Sequence, residues 1–202
     1  MAKYALVVGV SKYRDENISD LPYAARDAEG VGVCLEEDCR FEDVKVLESR
    51  EGKSRVASTD IARELARIAD EINPGDTFLF YFAGHGHTLK LSYGDEMGYF
   101  VPVNAPNPNR DESGFLAKSL NMESIEVFAK QIQAKHALFL FDSCFSGSIF
   151  ALSRAAIPAN ISYKTSEPVR QFVTAGSANE TVPDESIFRD QFIRAIRGEG
   201  DS

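Results

Sequence analysis

Apolar residues fall along this chain in two alternating rhythms. Tyr4–Val10, Thr77–Ala83 (TFLFYFA) and Ala137–Phe141 (ALFLF) are unbroken apolar runs of strand length. Such runs mark strands covered on both faces, the habit of central parallel strands. Between them the period changes. Leu21–Leu35 repeats through Ala24, Ala28, Val31 and Leu35, and the segment entered at Thr59 and Asp60 repeats through Ile61, Leu65, Ile68 and Ile72. Both spacings predict amphipathic helices, the second stopped by Asn73-Pro74-Gly75-Asp76. Ile125, Phe128, Ala129 and Ile132 predict a further helix, and Phe188, Phe192 and Ile196 a last one. Val44–Leu47 and Gln171–Ala175 read as additional strands, and Thr88–Val103 as a hairpin turning at Tyr93-Gly94-Asp95. Ser146–Pro168 has no persistent period and reads as a long loop. The alternation implies an α/β three-layer sandwich with a mostly parallel central sheet flanked by helices. Residues 1–197 then form one domain, and 198–202 a polar tail or a cut inside a longer protein.

Composition narrows the function classes. With 202 residues, 44% of them hydrophobic, the chain has material for one sizeable core. Its 22 basic and 31 acidic residues leave a net charge of −9, which argues against a nucleic-acid partner. No stretch approaches membrane-span length, and the opening MAKYALVVGV lacks a small-residue cleavage site, so neither a membrane partner nor export is expected. Cys34, Cys39 and Cys144 are too few and too unevenly spaced for a disulfide framework, which suits a reducing cytoplasm.

In open parallel sheets, reactive groups gather beyond the carboxyl ends of the strands. Here one apolar strand runs into Gly84-His85-Gly86-His87 and another into Asp142-Ser143-Cys144-Phe145-Ser146-Gly147. If the two strands are parallel neighbours, an imidazole and a thiol meet on one edge. That pair supports nucleophilic catalysis, with the histidine managing the thiol proton and the thiolate attacking a carbonyl. The backbone N–H groups of Gly86 and Cys144 are candidates for an oxyanion hole.

His85-Gly86 and Asp142-Ser143-Cys144-Phe145-Ser146-Gly147, in that order at strand ends, resemble the caspase-like (clan CD) cysteine peptidases, and among them the metacaspase and bacterial orthocaspase branch. The likeness runs from the opening strand through Ala25-Arg26-Asp27-Ala28 and Gly98-Tyr99-Phe100-Val101-Pro102-Val103 to the Ile187–Ile196 helix, nearly the whole chain. It selects His85 over His87 as the partner of Cys144. It also implies that Asp142 lines the pocket for the substrate side chain before the scissile bond, with Asp27 as its partner carboxylate. Two carboxylates facing one cavity repel each other unless a cation enters. The resemblance therefore implies protein or peptide substrates cleaved after Arg, and less well after Lys, with Asp excluded by like charge.

Other features are weighed against that likeness. Metacaspases often need calcium, but Phe145–Ser166 holds no Asp or Glu, and Asp95/Glu96 and Asp111/Glu112 read as solvated loop. Calcium is not favoured, and no cofactor or metal site is expected. Asn104 stands where bacterial relatives usually carry Asp, without an assignable consequence. Arg154 and Lys164 in the long loop are candidate self-cleavage points, whereas Arg170 at the next strand is expected to be too well ordered. Cys34 reads as core, Cys39 as a surface thiol, His136 as an edge histidine and Glu36-Glu37-Asp38 as a solvated helix end. No carboxylate clearly orients His85, which fits a dyad more than a triad. A monomer, part of a larger chain or alone, is the expected state. The competing readings are a caspase-like regulatory or assembly domain with little activity, and a flavodoxin-type nucleotide-binding domain. The latter lacks a phosphate loop.

Overall fold

A computed structural model describes residues 1–50, 53–54, 56–91, 94, 96–143, 168–175 and 187–199. In chain order its elements are β1 (Lys3–Val10), α1 (Ala24–Glu37), β2 (Asp43–Arg50), β3 (Lys53–Ser54), α2 (Ser58–Glu71), β4 (Thr77–Ala83), β5 (Gly86–Lys90), β6 (Glu96–Phe100), α3 (Glu112–Lys118), β7 (Leu120–Asn121), α4 (Met122–Gln131), β8 (His136–Asp142), β9 (Val169–Thr174) and α5 (Ile187–Ile196). Five strands run parallel in the order β2-β1-β4-β8-β9, and β3 adds a short antiparallel edge beside β2. A second, antiparallel sheet has the order β5-β6-β7.

The unbroken apolar runs are explained by burial on two faces. Leu6, Val8, Val10, Phe78, Phe80, Phe82, Phe139 and Phe141 pack with Ile61, Leu65 and Ile68 of α2 and Met122, Ile125 and Ala129 of α4. The alternate positions, Ala5, Val7, Leu79, Tyr81, Ala83 and Leu140, pack with Ala24, Ala28, Val31 and Leu35 of α1 and with Phe188, Phe192, Ile193 and Ile196 of α5. Side chains alternate across a strand, so each apolar run divides between two cores and the sheet becomes the middle of three layers.

Local chemistry sets the helix starts. α1 begins at Ala24 rather than Leu21, where the Ser11 hydroxyl at the end of β1 accepts the Ala25 N–H at 2.8 Å. The cap thus comes from a distant residue. For α2, the Asp60 carboxylate accepts the Ala57 N–H at 3.1 Å, the half of a capping box that alanine permits. α3 and β7 are too short to show a period in the sequence. Asp111, read as solvated loop, caps α3 by accepting the Gly114 N–H at 2.8 Å.

Close approach holds α1 on the sheet. A Cβ at Gly9 would sit 2.5 Å from the Ala24 carbonyl oxygen and 2.7 Å from Ala28 Cβ. Gly9→Ala therefore forces α1 outward, and we expect a loss of about 1–3 kcal/mol in urea unfolding, the usual range for overpacking.

Candidate active site

β4 and β8 are paired in register, Ala83 opposite Asp142, so their carboxyl ends are level. Just beyond them the two chains are tied to each other. The Ser143 hydroxyl donates to the Gly84 carbonyl at 2.8 Å, and the Gly84 N–H donates to the Asp142 carbonyl at 3.4 Å. The residues immediately preceding His85 and Cys144 thus meet on one edge of the sheet. Cys144 itself, with Phe145–Gly147 and the loop positions Arg154 and Lys164, lies outside the described residues. Asp142 proves to be the last residue of β8 rather than the first beyond it.

His85 is held on several sides. Its N–H donates to the Tyr13 hydroxyl at 2.9 Å, its carbonyl accepts the Val101 N–H at 3.0 Å, and the Tyr13 ring lies 5.1 Å from the imidazole. Burial pushes the Tyr13 hydroxyl well above its ordinary pKa, so it stays neutral. The imidazole Nε2 lies 2.7 Å from the Ser19 carbonyl oxygen. A carbonyl only accepts, so Nε2 carries the proton and the lone pair of the neutral ring sits on Nδ1. An uncharged carbonyl thus orients the ring, a partner that residue types alone do not reveal.

Gly86 has a ladder position suited to the role assigned it. The bond from the Val101 N–H to the His85 carbonyl makes Gly86 and Phe100 a non-hydrogen-bonded pair. The Gly86 N–H therefore turns away from β6. A cleft of about 200 Å³ opens here, lined by Ile18, Ser19, His85, Gly86, His87 and Asn107 among others. His87 also faces this cleft, but its ring packs edge-on against Phe115 at 5.4 Å, and burial lowers its pKa.

The two candidate pocket carboxylates are both buried, Asp27 on the first turn of α1 and Asp142 at the end of β8. Asp142 accepts the Tyr81 hydroxyl at 2.9 Å. The Asp27 carboxyl is pushed up to about 6, first by burial; the Asp142 charge adds to the rise and Arg189 opposes it. The charge of Asp142 is thus felt at Asp27. Sequence reasoning missed Arg189, which comes from α5 and sets its Nε 3.4 Å from Asp27 Oδ1.

The remaining candidates stay structural. Cys34 is buried on α1, where its surroundings push the thiol up to about 12, and Cys39 is half-buried. Arg170 is fastened to the carbonyls of Ala129 and Ile132, both at 2.6 Å. Among the described residues, no three His, Cys, Asp or Glu side chains gather where they could hold a metal, and no helix is long and apolar enough to cross a membrane.

Known proteins share this architecture. The family model described as the caspase domain matches residues 2–197. A curated relative, a probable protease from a Desulfuromonadales bacterium, is 26% identical over 142 residues, covering 63% of this chain and 16% of that protein. The chain thus spans about a sixth of that relative's length. The crystal structure of protein GSU0716 from Geobacter sulfurreducens matches 74% of this chain and 53% of its own, with a TM-score of 0.55 and 18% identity, a likeness of fold. A parallel sheet between two helical layers, carrying His85 at one strand end and Ser143 tied beside it, accords with the family match, and the chain belongs to the caspase-domain family of peptidases.

Proposed function

We propose that the chain is a cysteine endopeptidase of the metacaspase and orthocaspase type, cutting protein or peptide substrates after Arg and less readily after Lys. The observation that carries this reading is the tie between Ser143 and Gly84, because it brings the segments leading to Cys144 and His85 to one sheet edge. In this mechanism Nδ1 of His85 takes the Cys144 thiol proton, and the thiolate forms a C–S bond to the substrate carbonyl carbon. The resulting oxyanion is held by the N–H groups of Gly86 and Cys144, each worth about 3–4 kcal/mol. The imidazolium then protonates the leaving amine as the C–N bond breaks, and water hydrolyses the acyl-enzyme. Throughout, the Ser19 carbonyl keeps the ring in one orientation. Asp27 and Asp142 receive the substrate's guanidinium. A reducing, cytoplasmic compartment and a monomeric state fit this chemistry.

Fluorogenic peptides ending in Arg, Lys or Asp, assayed with and without calcium, test the reading. Cleavage is expected after Arg, more weakly after Lys, not after Asp, and without calcium. Cys144→Ala and His85→Ala should each lower kcat/KM by at least about a thousandfold. Silence of the wild-type protein with every peptide would instead favour a regulatory domain.

Acidity gives a separate check. An Asp27 carboxyl titrating near 6 loses its charge below that pH, so KM for an Arg peptide should rise as pH falls from 7 to 5, a dependence removed by Asp27→Asn. The folded protein binds this proton more tightly than the unfolded chain. Its stabilising contribution is therefore present at acid pH and lost as pH rises through about 6. Thermal unfolding of wild type should accordingly improve relative to Asp27→Asn as pH drops from 7 to 5.

We further propose self-cleavage after Arg154 or Lys164. Incubated wild type should lose intact mass while Cys144→Ala keeps it; identical mass spectra would reject the proposal.

A further inference from the structure

Resting on the basic-pocket reading, this inference concerns a cation that the chain itself brings to the pocket. Arg189 lies on the first turn of α5, a helix anchored to the α1 side of the sheet through Phe188, Phe192, Ile193 and Ile196. From there its Nε lies 3.4 Å from Asp27 Oδ1 and 3.1 Å from Asp190 Oδ1. The Arg189 side chain is 22% exposed while that of Asp27 is 3% exposed, so the guanidinium lies between a buried carboxylate and the solvent side. Tyr81, hydrogen-bonded to Asp142, feels the charges of Asp142, Asp27 and Arg189 together. The four side chains form one electrostatic cluster.

We propose that Arg189 is an internal competitor for the substrate's guanidinium, neutralising Asp27 in the resting protein and moving aside when a substrate Arg enters. The chemistry is matched, because the occupant carries the same group that a basic-specific pocket is built to select. The contact to Asp27 itself is long: at 3.4 Å, Arg189 Nε stands beyond the roughly 2.8 Å of a strong charge-assisted hydrogen bond to that carboxylate. A substrate Arg that engages both Asp27 and Asp142 gains more than Arg189 loses. The long side chain of Arg189 can swing toward solvent while the apolar face of α5 stays docked. Competition of this kind raises the threshold for binding and leaves the bond-breaking steps untouched.

Calorimetric titration of agmatine, a free guanidinium compound, into Cys144→Ala protein with and without Arg189→Gln tests the proposal independently of catalysis. Removing the competitor should tighten agmatine binding about fivefold, the size of one modest ion pair. In protein retaining Cys144, the KM for an Arg peptide should fall by a similar factor with kcat little changed; a purely structural role would lower stability or kcat instead. Arg189→Lys, which keeps a cation but lacks the planar fork, should shift affinity the same way by less, and it carries the test should Arg189→Gln fail to fold. Unchanged or weaker agmatine binding in the folded variants overturns the proposal. If agmatine binding tightens yet no form cleaves after Arg, the competitor stands and the peptidase reading falls. If Arg peptides are cleaved but agmatine ignores position 189, the reverse holds.

Discussion

The parallel pairing of β4 with β8 is the constraint from which the site follows. Both strands are apolar on both faces, and the rings of Phe80, Phe139 and Phe141 meet across the pair at 6.0–6.3 Å. Sliding one strand by a single residue would turn every side chain to the opposite face, exchanging large rings for the smaller residues that fit beneath α1. Packing therefore enforces the register that sets Ala83 opposite Asp142 and makes the two strand ends level. The hydrogen bond from Ser143 to the Gly84 carbonyl extends that alignment past the sheet, to where the reactive groups are presented.

Electrostatics at this rim is managed with few charges. Asp27 lies on the first turn of α1, where the exposed N–H groups of the helix favour an anion, yet burial makes its ionised form costly. Asp142, also buried, is satisfied by the neutral hydroxyl of Tyr81, which sits on the neighbouring strand and faces the α1 layer. A pair of buried carboxylates needs a cation, and α5 supplies Arg189 from the same layer. Under the proposed exchange, a positive ligand at this pair takes the place of the Arg189 guanidinium.

His85 is governed by a different principle, in which a loop carries function on a rigid support. The segment after β1 is pinned to the body of the protein: the Arg14 N–H donates to the Val103 carbonyl, and the Asp15 carboxylate accepts the Asn107 N–H at 2.7 Å. So fixed, this loop offers Tyr13 to the main chain of His85 and the Ser19 carbonyl to its ring. A backbone carbonyl orients the imidazole without adding a charge of its own.

Much of this architecture is legible in the order of the amino acids. The apolar runs Tyr4–Val10, Thr77–Ala83 and Ala137–Phe141 announce strands covered on both faces because they are of strand length and rich in β-branched and aromatic residues. The helical stripes of α1, α2 and α4 follow equally from spacing, and the glycine-flanked His85 and the Asp142-Ser143-Cys144 segment at strand ends mark where chemistry gathers. Local pattern did not disclose α3 and β7, which are too short to complete a period, or the capping of α1 by Ser11 from another element. Nor did it disclose the Ser19 carbonyl, since every residue has one and only the folded path of the loop turns this one toward Nε2. Arg189 is the sharpest case: in sequence it is one of two arginines on the last helix, and only the docking of α5 beside α1 makes it the counter-charge of Asp27. Periodicity records which faces must leave water, whereas pairing between distant polar groups depends on how those faces come together.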